Sequence, residues 1–227
     1  MTVIVVPPPA VVRQGVEKTD AAYVEKAKSI VGLAQEAGMR ADARILDIGC
    51  GAARFLTGLL ATYGSVKEYL GLDVRKTPID WGREAFNNPA FGNIRFKQID
   101  AFNARYYASG EPVTARSRLP IEDNSFDFVM LYSVFTHMTV DDTRTYLSEI
   151  ARVLDANGRC LCNAFVEEGV PAWQENPEGY GDINWRGPLH CALFSKALFE
   201  GLIDEAGLTT ISSYRLFGLS FYTLAPR

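Results

Sequence analysis

The stretch that most restricts the fold is RILDIGCGAARF, residues 44–55. An apolar run of strand character closes on an acid and two glycines, then passes at once into a helical pattern. The same alternation recurs. Strands are predicted at residues 44–48, 69–73 and 94–99, with helices at 54–63 and 78–86 between them. A leading helix is predicted over residues 20–38, where apolar residues fall at helical spacing from Asp20 to Ala37 and Gly38 stops the run. Strands alternating with helices imply a parallel sheet with helices on both faces, hence an α/β fold.

The second half continues the alternation. In PIEDNSFDFVMLYSVF, the turn residues Asp123, Asn124 and Ser125 introduce a buried strand from Phe126 to Tyr132. Thr139 followed by Asp142 has the spacing of a capping box with the shorter acid, and it opens a helix through about Val153. Further strands are predicted at residues 159–165, 208–216 and 220–224, and a helix over 195–206 ends at Gly207. Residues 166–193 are rich in Gly, Pro, Glu and Trp without clear periodicity, and read as a lid or substrate loop.

With 227 residues, 48% hydrophobic and 22% charged, the chain has the composition of one globular domain spanning 1–227. A net charge of -4 gives no basic footprint, which disfavours nucleic acid and favours a small-molecule acceptor. Cys50, Cys160, Cys162 and Cys191 form no CxxC pair, and no histidine stands at zinc-ligand spacing, so neither a metal site nor a disulfide framework is expected. A reducing cytoplasm fits this usage. Residues 1–19 open MTVIVVPPPAVVRQG, whose short apolar run is broken by three prolines, and read as an extended arm rather than a signal peptide. No segment approaches the ~18 apolar residues of a membrane span.

In an open parallel sheet the ligand meets the first strand-to-helix turn. A dinucleotide fingerprint needs a third glycine three residues after Gly51, where Arg54 stands, and the acid Asp47 precedes Gly49 by two. Instead, LDIGCGAARF resembles motif I of the class I S-adenosylmethionine-dependent methyltransferases. The family pattern is an acid, then Gly at alternate places, and this chain departs from it only by Ala53 in the last of them. The resemblance implies that Asp47, Gly49, Cys50 and Gly51 carry the amino-acid part of S-adenosylmethionine.

A second anchor is YLGLDVR, whose Asp73 lies some 26 residues after Asp47 (positions 47 and 73), against about 20 in dinucleotide folds. Its carboxylate is suited to accept from both ribose hydroxyls, with Val74 beside it. In IRFKQIDAF, Asp100 resembles the acid that meets the adenine amine, flanked by Ala101 and Phe102. Tyr132 joins the same cofactor set. The likeness continues through LPIEDNSFDFVMLYSVFTHM and YLSEIARVLDANGRCLCNAF, which are similar to a small stand-alone bacterial subgroup with an SVFTHM segment after the fourth strand. The implied fold is Rossmann-like, with seven strands in the order 3-2-1-4-5-7-6, the last antiparallel, and S-adenosylhomocysteine is the implied product.

Methyl transfer from a sulfonium is an in-line displacement in which the protein aligns the acceptor and, for a hydroxyl, removes its proton. His137, in YSVFTHMT just past the fourth strand, is either that general base or a brace of its loop. His190 is either a substrate contact or a loop residue. Tyr23 in the leading helix either closes over the cofactor or packs in the core. Asp141 and Asp142 sit in a first helical turn, where capping explains them better than a metal. Glu167, Trp185 and Arg186 are the substrate candidates of the 166–193 segment, with indole and polar groups suited to a sugar-like ring. The expectation is a cytoplasmic O-methyltransferase of a small polar acceptor, a saccharide or secondary metabolite. N-methylation of a small amine, a non-catalytic cofactor-binding protein, and assembly as a homodimer stay open.

Overall fold

The computed structural model describes residues 7–13, 17, 19–181 and 183–227, in two compact units, Met1–Ile99 and Asp100–Arg227. In the first unit, helix α1 (Asp20–Glu36) is capped by Thr19, whose hydroxyl accepts from Ala22 N–H at 3.2 Å. It buries Tyr23, Ala27, Ile30, Val31 and Ala34, one stripe at helical spacing. Strand β1 (Arg44–Ile48) pairs in parallel with β2 (Val66–Asp73), and β2 with β3 (Gly92–Gln98), so the order is β3-β2-β1. Helices α2 (Arg54–Tyr63) and α3 (Lys76–Ala85) make the crossovers. Strand β2 begins at Val66 rather than at 69, because exposed Lys67 breaks the apolar run that marks the strand in the sequence.

The N-terminal arm lies partly outside the described residues. Its described part does not run extended as expected: Val12 and Arg13 N–H both donate to Pro9 C=O at 2.9 Å, closing a turn after the prolines. Arg13 then pairs with Asp20 at the start of α1.

In the second unit, β4 (Phe126–Leu131) pairs in parallel with β5 (Leu154–Glu167). Helix α4 (Val140–Val153) joins them through the expected capping box, with Thr139 and Asp142 each accepting from the other's backbone N–H. Two short strands, β6 (Trp173–Glu175) and β7 (Ala192–Ser195), precede helix α5 (Lys196–Glu205) and the hairpin of β8 (Leu208–Leu216) and β9 (Leu219–Pro226). The expected sequence of fourth, fifth, seventh and sixth strands is present as β4-β5-β9-β8, with β9 antiparallel to β5.

The strand count differs: nine among the described residues against the seven expected. The ladder of β9 on β5 ends at Ala164, whereas β5 runs on to Glu167. Phe165, Val166 and Glu167 therefore keep unpaired backbone groups, which β7 satisfies in parallel and β6 extends in antiparallel. The 166–193 segment is thus partly sheet, pinned at both ends. No helix among the described residues is long and apolar enough to cross a membrane.

Helix α1 lies close to α2 because Gly58 has no side chain: a Cβ there would stand 2.3 Å from the Ala27 carbonyl oxygen. Gly58→Ala is therefore expected to destabilise the protein by roughly 1–3 kcal/mol through overpacking, read as a lower urea midpoint at unchanged slope. A variant as stable as wild type would refute the close approach.

Candidate functional site

The glycine turn of the first unit is held by hydrogen bonds to the end of β2. Gly49 and Cys50 N–H both donate to Leu72 C=O, at 2.7 and 2.9 Å. Gly51 N–H donates to Asp73 Oδ2 at 2.8 Å, while Asp73 Oδ1 accepts from Arg75 N–H at 2.8 Å. Gly49 and Gly51 have φ of 72° and 51°, the left-handed region that glycine enters without steric cost. Ala53, in the place of the family's last glycine, is left-handed too, at φ 53°. An L-residue there costs roughly 1–2 kcal/mol, which the smallest Cβ keeps near the minimum.

Asp47 is buried at 3% exposure and accepts from the Tyr69 hydroxyl at 2.6 Å. Burial pushes its carboxyl up to about 7, with Tyr69 opposing and the nearby Asp73 charge adding to the rise. Tyr69 was not foreseen. Its signal lay in the strand register: Gly71 sits opposite Asp47, and Tyr69, two residues earlier, shares that face. Gly71 is needed there, since a Cβ would stand 2.9 Å from Cys50 Sγ and from the Phe96 ring. Cys50 is buried and its thiol is pushed up by that burial. The Val74 carbonyl accepts from Gln98 Nε2 at 2.9 Å.

Tyr23 ties α1 to the glycine turn. It is fully buried, its hydroxyl donates to Ala52 C=O at 3.0 Å, and the Arg13 and Arg54 guanidinium groups lie 5.0 and 5.1 Å from its ring centre. Burial pushes its phenol up to about 12, so it stays a donor and anchors the turn to α1.

In the second unit, the imidazole of His137 has Leu189 C=O at 2.9 Å from Nδ1. A carbonyl only accepts, so Nδ1 carries the proton and Nε2 is the basic nitrogen. Burial lowers its pKa to about 4, with the cation of Arg105 and the nearby His190 adding to the fall. Asn103 holds the surroundings: Nδ2 donates to His137 C=O at 2.9 Å, and Oδ1 accepts from Arg105 and Tyr106 N–H, both at 3.1 Å. The Tyr106 ring meets the imidazole edge-on at 5.4 Å. Neither Asn103 nor Arg105 was foreseen, although Asn ahead of a turn was the available signal. Asn163 Oδ1 accepts from Ser133 N–H at 2.6 Å and holds Ser133 left-handed at φ 58°, fixing where the SVFTH segment leaves β4.

His190 Nδ1 accepts from Arg186 N–H at 3.0 Å, and its ring meets Trp185 at 5.2 Å. Trp185 Nε1 donates to Tyr180 C=O at 2.7 Å. Glu167 takes the Arg215 guanidinium through both oxygens, at 2.5 and 2.6 Å, and the Tyr180 hydroxyl at 2.9 Å. Arg215 holds its carboxyl below the usual range. Asp182, a polar residue of the same segment, lies outside the described residues. Tyr132 packs on Phe221 at 6.1 Å. Asp100 is exposed and accepts from Glu111 N–H at 3.2 Å, Ala101 is half-buried, and Phe102 is 40% exposed.

A strand-turn-helix with two left-handed glycines, a buried acid in the first strand and a second acid closing the turn defines a class I S-adenosylmethionine-dependent methyltransferase. The chain belongs to the methyltransferase-domain family, which it matches over residues 46–162. It is similar to a demethylmenaquinone methyltransferase of Staphylococcus aureus (strain MRSA252), 26% identical over 166 residues that cover 73% of this chain and 60% of the relative. The YcgJ protein from Bacillus subtilis is similar in structure, with TM-score 0.58 and 26% identity, over 85% of this chain and 73% of that one. The fold also matches CalO1, a methyltransferase in calicheamicin biosynthesis solved with S-adenosylhomocysteine bound, at TM-score 0.59 and 18% identity, over 92% of this chain and 57% of that one.

S-adenosylmethionine is the cofactor, and the first unit's residues fit it. No side chain caps the N-terminus of α2, so its first N–H groups are available to a carboxylate. The buried Asp47 carboxyl suits an ammonium, and Asp73 keeps acceptor capacity for a ribose hydroxyl.

Asp47 holds its proton in the folded chain up to about pH 7, against 3.8 as its ordinary value. The unfolded state therefore binds fewer protons between those values, and this carboxyl lowers stability as pH rises through the window. Asp47→Asn is expected to gain stability over wild type progressively from about pH 4 to 7, reaching on the order of 4 kcal/mol. Urea unfolding of both proteins across pH reads the difference. A gap independent of pH would contradict the protonated carboxyl.

Proposed function

We propose that the chain methylates a hydroxyl of a small acceptor, with His137 as general base and S-adenosylmethionine as the methyl source. The observation that carries this reading is the His137 Nδ1 bond to Leu189 C=O, which directs the ring's lone pair to Nε2. When bound, the cofactor supplies an electrophilic methyl group. The chain's own part is to hold it through Asp47, Gly49, Cys50, Gly51, Asp73 and Val74, with Asp100, Ala101, Phe102 and Tyr132 assigned to it by family likeness. Its further part is to align the acceptor and take one proton at His137 Nε2.

Of the two acceptor classes weighed, secondary metabolites are better supported than saccharides. A base lowered to about 4 takes a proton most readily from an acidic hydroxyl, a phenol or enol. Glu167 and Trp185, the polar and stacking groups suited to a sugar, are engaged with Arg215 and Tyr180. A second reading, methylation at a ring carbon of a quinol-like acceptor, is favoured by the name of the S. aureus relative. It shares the need to ionise a ring hydroxyl. N-methylation would leave His137 without a role. The four free cysteines fit a reducing cytoplasm.

His137→Ala is expected to lower kcat by about 100-fold or more while leaving S-adenosylhomocysteine affinity unchanged, and wild-type kcat is expected to be flat from about pH 6 to 8. Turnover near wild type with saturating acceptor would rule out the base, and a parallel loss of S-adenosylhomocysteine binding would point to a purely structural role.

A further inference from the structure

The second unit holds the cation of Arg105 close to His137. Arg105 Nε is buried without a hydrogen-bond partner. No carboxylate among the described residues pairs with its guanidinium. The guanidinium makes a long bond from Nη1 to Arg186 C=O at 3.4 Å and lies 5.6 Å from the centre of the Tyr106 ring. A buried charged donor left unsatisfied is costly, native proteins keep few of them, and a catalytic or binding role is one physical reason to keep one.

The group is also built into place. Asn103 Oδ1 fixes the backbone at Arg105 and Tyr106, and the same side chain's Nδ2 ties this turn to the carbonyl of His137. The guanidinium is close enough to both histidines to weigh on their protonation, while His190 is occupied at Nδ1 by the Arg186 N–H. Tyr106 offers a partly exposed aromatic edge beside the imidazole.

We infer that Arg105 is a specificity-determining residue that receives an oxyanion of the acceptor, so that the substrate class is a planar ring bearing a carboxylate or an ionised hydroxyl next to the methylated position. The inference rests on the reading of His137 as the base beside the acceptor. The guanidinium's planar array of N–H donors matches a delocalised oxyanion, and its charge discriminates strongly against a neutral isostere. An anion on Arg105 also offsets the cation that disfavours protonation of His137, so a bound substrate makes the base more effective than it is in the free protein.

The test is calorimetric titration of the full chain, loaded with S-adenosylhomocysteine, with paired aromatic probes: benzoate against benzamide, and 4-nitrophenolate against 4-nitroanisole. Wild type is expected to prefer the anion of at least one pair by about tenfold. Arg105→Gln is expected to abolish that preference and Arg105→Lys to retain part of it, both with unchanged S-adenosylhomocysteine affinity as the check on folding. In the same samples, the NMR titration of the His137 ring, which faces Arg105 and His190, is expected to move to higher pH when the anion binds. No preference for either anion, or a preference that survives Arg105→Gln, overturns the inference. A difference between the two anions separates the sources: preference for benzoate marks the carboxylate, and preference for 4-nitrophenolate alone marks an ionised ring hydroxyl. His137→Ala turnover fails or holds independently of these affinities, so the base reading and the role of Arg105 are judged apart.

Discussion

The bond from Gly51 N–H to Asp73 Oδ2 is the contact on which the first unit's chemistry depends. It makes one carboxylate close the turn after β1 and at the same time mark the end of β2. Everything near it is arranged to keep that geometry. Leu72 C=O takes the two preceding N–H groups, Gly71 leaves space for Cys50, and Tyr23 reaches from α1 to the Ala52 carbonyl. The left-handed run Gly49, Gly51, Ala53 then delivers the chain into α2 with its N-terminus uncapped. A helix end left without a cap, next to a carboxyl kept protonated by burial, is a poor arrangement for stability and a good one for a zwitterionic ligand.

The second unit solves a comparable problem with side-chain amides. Asn163 sets the turn at Ser133 and Asn103 ties the Arg105 turn to His137. Leu189 then fixes the tautomer of the imidazole. These partners lie 30, 34 and 52 residues away in sequence from the groups they hold, so each depends on the fold being complete. Buried amides are costly unless satisfied, and their presence around one short segment marks it as a place where position matters more than stability.

That separation explains what could be read from the chain in advance. The helices α1, α2 and α4 and the strands β1, β4 and β8 follow from local pattern, because their apolar faces and caps are written within a few residues, as in the Thr139–Asp142 box. The ends of β5 do not. Its last residues become strand only because β9 stops at Ala164 and β7 takes the vacated edge, and β6, three residues long, is too short to show a period. The pairing of Glu167 with Arg215, 48 residues on, is not written in the local pattern either. The place of Tyr23 between Arg13 and Arg54 is likewise a tertiary fact that the helical pattern around it does not show. Asp47, Gly51 and Asp73 were legible because the turn's backbone conformation demands glycine and its hydrogen bonds demand an acid, in whatever protein uses it.

The central claim is that Asp73 both closes the glycine turn and holds S-adenosylmethionine. Its most direct test is a calorimetric titration of S-adenosylhomocysteine into wild type and Asp73→Ala. The account predicts saturable one-to-one binding in wild type that weakens by at least about tenfold in the variant. Equal affinity in the two proteins would contradict it.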